Sequence, residues 1–245
     1  MTTDFSWLSR TELLVGKDAL HKLANSHVMV VGLGGVGSFA AEFIARSGVG
    51  KMTIIDGDVV DPTNRNRQLP ALATNHGVSK AAIMAERLQA INPELELNVV
   101  KQFVNPEMVQ EQINLKPDYV VDAIDSITPK LTFISLAMNS GLKVVSSMGA
   151  GAKMDATKLQ VVDISKTHTC PFAQQIRKNL KNKFGIKTGL KAVFSTELPN
   201  KDSLMLTDGK NYKKSAYGTI SYLPAVFGAV CASVVIRDLI EDYIL

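Results

Sequence analysis

Short apolar runs alternate with amphipathic segments along the first 150 residues. Five runs are typical of buried strands and cover residues 27–32, 51–56, 96–100, 118–125 and 143–151. Between them, apolar residues recur at helical spacing over 35–48, 77–93, 106–114 and 128–141. Alternating strands and helices predict an α/β fold with a doubly wound, mostly parallel, Rossmann-like sheet. Such strands are apolar because both faces of a parallel sheet are covered by helices.

The two ends of the chain depart from this rhythm. Residues 1–26 predict a helical segment ahead of the first strand. The second departure begins near residue 151, where the pattern predicts strands at 158–165 and 191–197, a basic helix at 171–185 and a closing apolar helix at 223–243. We therefore divide one domain into a Rossmann-like nucleotide-binding region, 1–150, and a small C-terminal α+β extension, 151–245.

The apolar stretch from 215 to 236 carries no charge and is long enough to raise the question of a membrane span. It contains Pro224, two glycines and several hydroxyl side chains, which favour a buried or dimer-interface helix over a membrane anchor. Two cysteines, Cys170 and Cys231, cannot form a disulfide framework or a zinc site of paired CxxC motifs. We therefore expect a cytoplasmic protein.

The stretch VVGLGGVGS has the spacing of a phosphate-binding turn. Gly32, Gly34 and Gly37 form GxGxxG, with Gly35 as an additional glycine. An apolar strand precedes the turn and a helix follows it, so backbone N–H groups at the helix start can approach phosphate. The next strand ends in Asp56, which can accept hydrogen bonds from ribose hydroxyls.

The loop after that strand, DGDVVDPTNRNRQ, is rich in groups that bind phosphate. It offers Asp56, Asp58, Asn64, Arg65, Asn66, Arg67 and Gln68. Two arginines and several amides suggest a triphosphate rather than a nicotinamide dinucleotide, because guanidinium groups match phosphate oxygens and stabilise the charge of departing pyrophosphate. Lys80 opens the next helix against its dipole, which an anionic ligand would compensate.

Two further carboxylates, Asp122 and Asp125, end the strand VVDAID. An acid at the carboxyl edge of a doubly wound sheet can ligate Mg²⁺ that bridges phosphates. Three segments, 32–37, 56–68 and 122–128, therefore converge on one predicted crevice for a nucleoside triphosphate.

The combination of GLGGVGS, DGDVVDPTNRNRQ, GVSK, VVDAIDS and AVFSTE resembles the ubiquitin-activating-enzyme-like (ThiF/MoeB/HesA) adenylyltransferase superfamily over nearly the whole chain. The resemblance implies that ATP activates a carboxylate as an acyl-adenylate. Together with the loop residues it gives a nucleotide-contacting set of Gly32, Gly34, Gly35, Gly37, Asp56, Asp58, Asn64, Arg67, Gln68, Lys80 and Asp122. Its implied catalytic set is Arg67, Lys80, Asp125 and Arg10, with Asp125 as the Mg²⁺ ligand.

Within the superfamily, the chain is most similar to a tRNA-modifying dehydratase branch. That likeness implies tRNA, not DNA, as the partner, and activation of the carboxylate of a threonylcarbamoyl group on a tRNA adenosine, followed by ring closure with loss of water. It also implies a homodimer, in which Arg10 reaches the triphosphate of the partner subunit and the region 151–245 serves substrate binding and dimerisation. A sulfur-mobilising partner is left open.

Three other functions remain to be weighed. Activation of a ubiquitin-like or sulfur-carrier protein is disfavoured because the paired CxxC motifs of many such enzymes are missing and Cys170, the one thiol expected to be exposed, is a weak nucleophile candidate. A nicotinamide oxidoreductase lacks a convincing acid–base residue in the second half. A non-catalytic nucleotide-binding scaffold is the last alternative. The basic helix around Arg177, Lys178, Lys181 and Lys183, with Lys187 and Lys191, is either a solvated face or a set of tRNA phosphate contacts.

Overall fold

The computed structural model describes residues 6–206 and 215–243. Its main sheet has seven strands in the order β3-β2-β1-β4-β5-β7-β6. All neighbouring pairs are parallel except β6 and β7, which are antiparallel. The strands are β1 His27–Val31, β2 Lys51–Ile55, β3 Glu96–Val100, β4 Tyr119–Asp122, β5 Val144–Ser147, β6 Leu159–Asp163 and β7 Lys191–Ser195. The predicted doubly wound, mostly parallel sheet is confirmed.

Helices cover both faces of the sheet. They are α1 Ser9–Val15, α2 Lys17–Ala24, α3 Gly37–Arg46, α4 Lys80–Ile91, α5 Pro106–Ile113, α6 Ile127–Asn139, α7 Pro171–Phe184 and α8 Tyr222–Leu239. One core cluster joins the sheet to α2, α3, α4 and α8, and the other joins it to α5, α6 and α7. The apolar character of β1 follows from this arrangement, because all five of its residues are buried.

The predicted C-terminal extension is continuous with the main sheet. Its two predicted strands form β6 and β7, and β7 pairs directly with β5. A separate antiparallel pair, β8 Leu204–Leu206 with β9 Ser215–Tyr217, forms the remaining strand structure of the described residues. The crossover helix α7 returns the chain from β6 to β7 on the face that carries α5 and α6.

The predicted N-terminal helix is divided in two, and residues 1–5 of it lie outside the described part. Gly16 separates α1 from α2 with φ +86°, a conformation that glycine adopts at little cost. None of the residues of α1 is buried, whereas Ala19, Leu20 and Leu23 of α2 enter the core. The two short helices therefore differ in how firmly they are held by packing.

The closing helix α8 is long and apolar enough to cross a membrane by length and composition. Half of that stretch is buried inside the protein, and Phe227, Cys231 and Val235 are fully buried. A Cβ at Gly228 would lie 2.4 Å from the carbonyl oxygen of Val36, so glycine lets α8 approach the start of α3 closely. These contacts are typical of a core helix.

Candidate nucleotide site

The glycine turn after β1 is built by backbone contacts that exclude side chains. Gly32 has φ +87°, and a Cβ there would lie 2.8 Å from the carbonyl oxygen of Ala123, the residue after β4. A Cβ at Gly37 would lie 1.7 Å from the carbonyl oxygen of Gly32. Glycine at both positions therefore lets the turn close against the ends of β1 and β4 before α3 begins.

The same turn leaves room for a ligand at Gly34. The nearest atom to a Cβ built there is Nε2 of Gln68, 3.7 Å away. Val36, at the N-cap of α3, supplies no side-chain hydrogen bond to the first turn of the helix. Because the first N–H groups of a helix have no partners within it, this end of α3 can donate to an anion.

Asp56 joins the glycine turn to the loop that follows β2. Its Oδ2 accepts a hydrogen bond from the backbone N–H of Leu33 at 2.6 Å, and its Oδ1 accepts from that of Asp58 at 2.7 Å. Burial raises the pKa of this carboxyl, although the Lys80 ammonium and the two backbone donors oppose the rise. Each oxygen has a second lone pair, so the carboxylate keeps the capacity to accept ribose hydroxyls.

Lys80, the first residue of α4, is buried and forms an ion pair with a carboxylate of the loop that follows β2. It is 4% exposed, and its Nζ lies 3.2 Å from Oδ2 of the half-exposed Asp58. The Ser79 side chain caps the helix by accepting from the N–H of Ala82. The unfavourable position of a lysine in a first helical turn is thus offset by a carboxylate of the site.

The arginine-rich part of the loop is held by a short 3₁₀ turn. Asn64 is buried, and its Oδ1 accepts from the N–H of Asp61 in a capping box. Arg67 donates to the carbonyl oxygen of Thr63 at 3.0 Å and to Oδ1 of Asn66 at 2.9 Å. Asn66 also donates to the carbonyl oxygen of Thr219, which ties the loop to the C-terminal region.

Arg67 and Asp125 interact although they belong to different loops. Burial lowers the pKa of the Arg67 guanidinium, and the carboxylates of Asp125 and Asp61 oppose that change. Asp125 is exposed beyond the end of β4 and accepts a hydrogen bond from the Ser126 hydroxyl at 3.3 Å. The structure therefore places these two predicted catalytic side chains near enough at the carboxyl edge of the sheet for their charges to affect each other.

Gln68 carries the one buried side-chain oxygen or nitrogen atom among residues 6–206 and 215–243 that lacks a hydrogen-bond partner. That atom is Oε1, while Nε2 of the same amide is the Gln68 atom nearest to a Cβ built at Gly34. A buried acceptor without a donor costs about 1–3 kcal/mol. An unsatisfied acceptor on a side chain that borders the glycine turn fits a nucleotide, which offers donors in its ribose hydroxyls and its adenine amino group.

Asp122 is positioned differently from Asp125. It is fully buried, lies 2.7 Å from the Lys130 ammonium, and accepts from the Ser146 hydroxyl at 2.6 Å. Its side chain thus does not reach the surface of the crevice, where the sequence predicted a nucleotide contact. Asp122 is the last residue of β4, and its side chain lies between β5 and α6, where it contacts Ser146 and Lys130.

The structure also shows the positions of three other residues that the sequence analysis singled out. The prediction that Cys170 is exposed is wrong, because the residue is 3% exposed at the N-cap of α7, with its Sγ 3.7 Å from Nζ of the buried Lys153. Cys231 is core, and burial raises its pKa to about 12. Arg10 is exposed on α1, and among the described residues no hydrogen bond or ion pair joins it to the crevice.

Sequence reasoning missed the buried lysines Lys130 and Lys153. Lys130 interrupts the otherwise uncharged helix segment ITPKLTFISLAM. A single cation in such a segment is a usable signal, because a lysine is rarely fully buried unless a carboxylate pairs with it. No comparable pattern marks Lys153, whose Nζ donates to the carbonyl oxygen of Gly149 at 2.6 Å.

No group of three or more His, Cys, Asp or Glu side chains in the described part of the chain could by itself hold a metal ion. Mg²⁺ differs from structural metals in this respect, since it is usually bound by one or two carboxylates together with substrate phosphates. Asp125 fits that role because it is exposed and lies near a cationic side chain that would face the same phosphates.

The geometry agrees with comparisons to known proteins. The model of the ThiF family matches residues 8–242. The chain is a member of the ThiF family. Within that family it is similar to the tRNA threonylcarbamoyladenosine dehydratases of Escherichia coli, with 40% identity over 93% of this chain and 92% of that one, and of Bacillus subtilis, with 41% identity over 96% and 94%.

Solved structures of the ThiF fold extend this similarity to three dimensions. The crystal structure of the E. coli tRNA N6-threonylcarbamoyladenosine dehydratase in complex with ATP superposes with a TM-score of 0.89 at 38% identity, covering 99% of this chain and 98% of that one. The resemblance inferred from the sequence motifs is confirmed, and so is the Rossmann-like α/β class.

Proposed function

We propose that this protein is an ATP-dependent dehydratase of tRNA that adenylylates the carboxylate of threonylcarbamoyladenosine and promotes its cyclisation. The observation that carries the proposal is the group formed by Gly34, Gln68, Arg67 and Asp125. It combines an open phosphate-type turn, an unsatisfied buried acceptor, a cation and an exposed acid. Similarity to dehydratases over more than nine-tenths of the chain supports the choice of substrate.

The chemistry follows from the need for a leaving group. A carboxylate is a poor electrophile because oxide would have to depart. Its attack on the α-phosphorus of ATP forms acyl-adenylate and expels pyrophosphate. A nitrogen of the same threonylcarbamoyl group then attacks the acyl carbon, the acyl–oxygen bond breaks, and AMP leaves with release of a proton. The nucleoside has lost one water, and the second step gains from intramolecular reaction.

The residues of the crevice have separate tasks in this proposal. The turn at Gly34 and the start of α3 bind phosphate oxygens, and Asp56 binds ribose. Arg67 stabilises charge on the departing pyrophosphate, while Lys80 holds the loop through Asp58 and adds positive charge. Asp125 would hold Mg²⁺, which supplies charge neutralisation on the phosphates when bound. Positioning and electrostatics suffice without a protein nucleophile, in line with the burial of Cys170.

We further propose a homodimer in which Arg10 completes the partner's site. The support lies in α1, where Leu13 and Leu14 are 89% and 84% exposed and none of its residues is buried. A second copy of the chain would cover these apolar side chains and bring Arg10 to another crevice. A cytoplasmic location fits a reaction that consumes ATP and tRNA.

Mass spectrometry of tRNA nucleosides tests the reaction. tRNA that carries threonylcarbamoyladenosine is incubated with protein, ATP and Mg²⁺, and the expected product is lighter by one water only when ATP is present. An unchanged mass, with pyrophosphate released only when a small carrier protein is added, would favour activation of a ubiquitin-like or sulfur-carrier protein. No pyrophosphate with any acceptor would favour the non-catalytic scaffold.

Mixing two inactive variants tests the shared site. If Arg10 acts across the interface, each active site uses Asp125 of one subunit and Arg10 of the other, and the variants Arg10→Ala and Asp125→Ala each lack one of these two residues. Mixed dimers then contain one intact site, and about a quarter of wild-type activity should return for random mixing of equal amounts. No recovery, with mixed dimers demonstrated by differential tags, would contradict the assignment of Arg10.

A further inference from the structure

The charges of this protein are unevenly distributed along the chain. Residues 164–190 contain six Lys and Arg and no Asp or Glu. The whole chain carries +4 and this segment supplies +6, so the remaining residues together carry −2. The modest net charge therefore conceals one strongly cationic segment, which comprises the residues before α7, α7 itself and the turn that follows it.

Four lysines of this segment form what we call the α7 surface. They are Lys178, Lys181, Lys183 and Lys187, and all four are exposed. Within the described residues none of them forms an ion pair, whereas exposed lysines elsewhere, such as Lys51 and Lys191, pair with carboxylates. Unpaired ammonium groups on one helix and its end repel one another, and an anionic partner would remove that repulsion.

Helix α7 starts at the same edge of the sheet as the nucleotide crevice, and the lysines of the α7 surface begin seven residues, or about 10 Å, further along the helix. Phe172, in the first turn of α7, lies beneath the Lys130 ammonium at 5.7 Å from its ring centre. Lys130 pairs with Asp122, at the end of the strand that leads to Asp125. The 14 residues of α7 then extend for about 21 Å away from that edge. A polymer bound along α7 would thus have one end at the crevice.

The composition of α7 fits a nucleic acid backbone better than a lipid surface. Ala173, Ile176 and Leu180 are fully buried in the core, and Phe184, the last residue of α7, is the one large apolar side chain of this helix that is exposed, so the helix offers a single residue for insertion between lipids. The exposed positions before and between the lysines include the amides Gln174 and Asn182, which can donate to phosphate oxygens or ribose hydroxyls.

We propose that the α7 surface binds the phosphate backbone of the tRNA whose modified nucleoside enters the crevice. This inference rests on the proposed function for the identity of the RNA. The lysines supply affinity and orientation, and they carry no sequence information, because their partners are phosphates. Recognition of the modified nucleoside is left to the crevice.

The test measures the affinity of the full-length protein for tRNA by fluorescence anisotropy over a range of salt concentrations. The variant is Lys178→Glu/Lys181→Glu, and the matched control is Lys116→Glu/Lys143→Glu, which makes the same charge change on exposed lysines that precede β4 and β5. We expect the α7 variant to bind tRNA about tenfold more weakly than the control, with a salt slope smaller by about two.

Several results would overturn the inference. Equal affinities of the two double variants for tRNA would do so, as would a loss that appears only for anionic phosphatidylserine vesicles and not for tRNA. Binding is measured with unmodified tRNA and separately from dehydration, so the two proposals can fail separately. If wild-type protein dehydrates tRNA but the α7 variant keeps its affinity, only this inference fails. If no tRNA is dehydrated at all, the proposed function fails.

Discussion

The side chains of Lys130 and Asp122 pair with each other and hydrogen-bond to the carbonyl oxygen and the N–H of the same residue, Ile124, beside the crevice. Their Nζ and Oδ2 atoms are 2.7 Å apart, and neither side chain is exposed. Oδ1 of Asp122 accepts from the N–H of Ile124 at 3.1 Å, while the Lys130 ammonium donates to the carbonyl oxygen of Ile124 at 3.0 Å. Because Ile124 directly precedes Asp125, this buried ion pair fixes the loop that carries the proposed metal ligand.

Removing one partner of that pair should destabilise the protein strongly. We expect Lys130→Met to lower the free energy of unfolding by about 3–5 kcal/mol, because the Asp122 charge is left buried without compensation. The double variant Asp122→Asn/Lys130→Met should recover part of the loss. Urea unfolding measures both, and Lys143→Met, which breaks an exposed pair with Glu241, should change stability by about 0–1 kcal/mol. A similar small effect at Lys130 would contradict the buried pairing.

Asp125→Ala should abolish turnover without unfolding the protein. The side chain is exposed, so its loss should change the free energy of unfolding by less than about 0.5 kcal/mol. Loss of a Mg²⁺ ligand at the phosphates should reduce tRNA-dependent pyrophosphate release about 100-fold or more. The control is Glu111→Ala, an exposed acid on α5. Activity close to wild type, measured across a Mg²⁺ titration, would remove Asp125 from the metal site.

The sequence allowed the fold and the outline of the crevice to be predicted because both depend on local patterns. Apolar runs located the strands, and the glycine spacing located the turn. The sequence could not show that the Asp122 side chain is buried, because its burial depends on contacts with Lys130 of α6 and Ser146 of β5, which lie on other elements of the fold. The burial of Cys170 likewise depends on the packing of α7 and on Lys153. Residues only three positions apart, such as Asp122 and Asp125, can acquire opposite environments when a strand ends between them.

Two glycines of one turn should respond differently to a methyl group. Gly34→Ala meets no atom closer than 3.7 Å, so the free protein should keep its stability to within about 0.5 kcal/mol. The methyl would occupy the approach of a phosphate, and ATP affinity by calorimetry should fall about tenfold or more. By contrast, Gly37→Ala places a Cβ 1.7 Å from the Gly32 oxygen and should cost about 3 kcal/mol or more. Unchanged ATP affinity in Gly34→Ala would exclude the turn from phosphate binding.

The unsatisfied oxygen of Gln68 predicts opposite effects on the free and the ligand-bound protein. Gln68→Met removes a buried acceptor that lacks a donor, so the free protein should be as stable as wild type or more stable, by up to about 1 kcal/mol. The increase in melting temperature caused by saturating ATP should shrink. Gln110→Met on the exposed face of α5 is the control and should leave that increase unchanged. An equal ATP effect in Gln68→Met would mean that the oxygen does not face the nucleotide.

His27 should make stability fall on mild acidification. It is 6% exposed, and its Nε2 lies 2.9 Å from the Thr53 hydroxyl. Burial lowers the pKa of its ring below 6.5, and the Lys51 cation lowers it further, against opposing effects of Asp118 and Glu96. The unfolded chain therefore binds a proton first, so the stability present above about pH 6.5 is lost as the pH falls towards the lower pKa of the folded state.

His27→Gln isolates this effect, since glutamine can still reach Thr53 and does not titrate. The raised pKa of Asp56 works in the opposite direction as the pH falls, but it is common to both proteins and cancels in their difference. Chemical denaturation at pH 7.5 and 5.5 should show a loss of stability in wild type that is smaller in the variant. Equal losses in the two proteins would mean that His27 is protonated as readily in the folded state as in the unfolded chain.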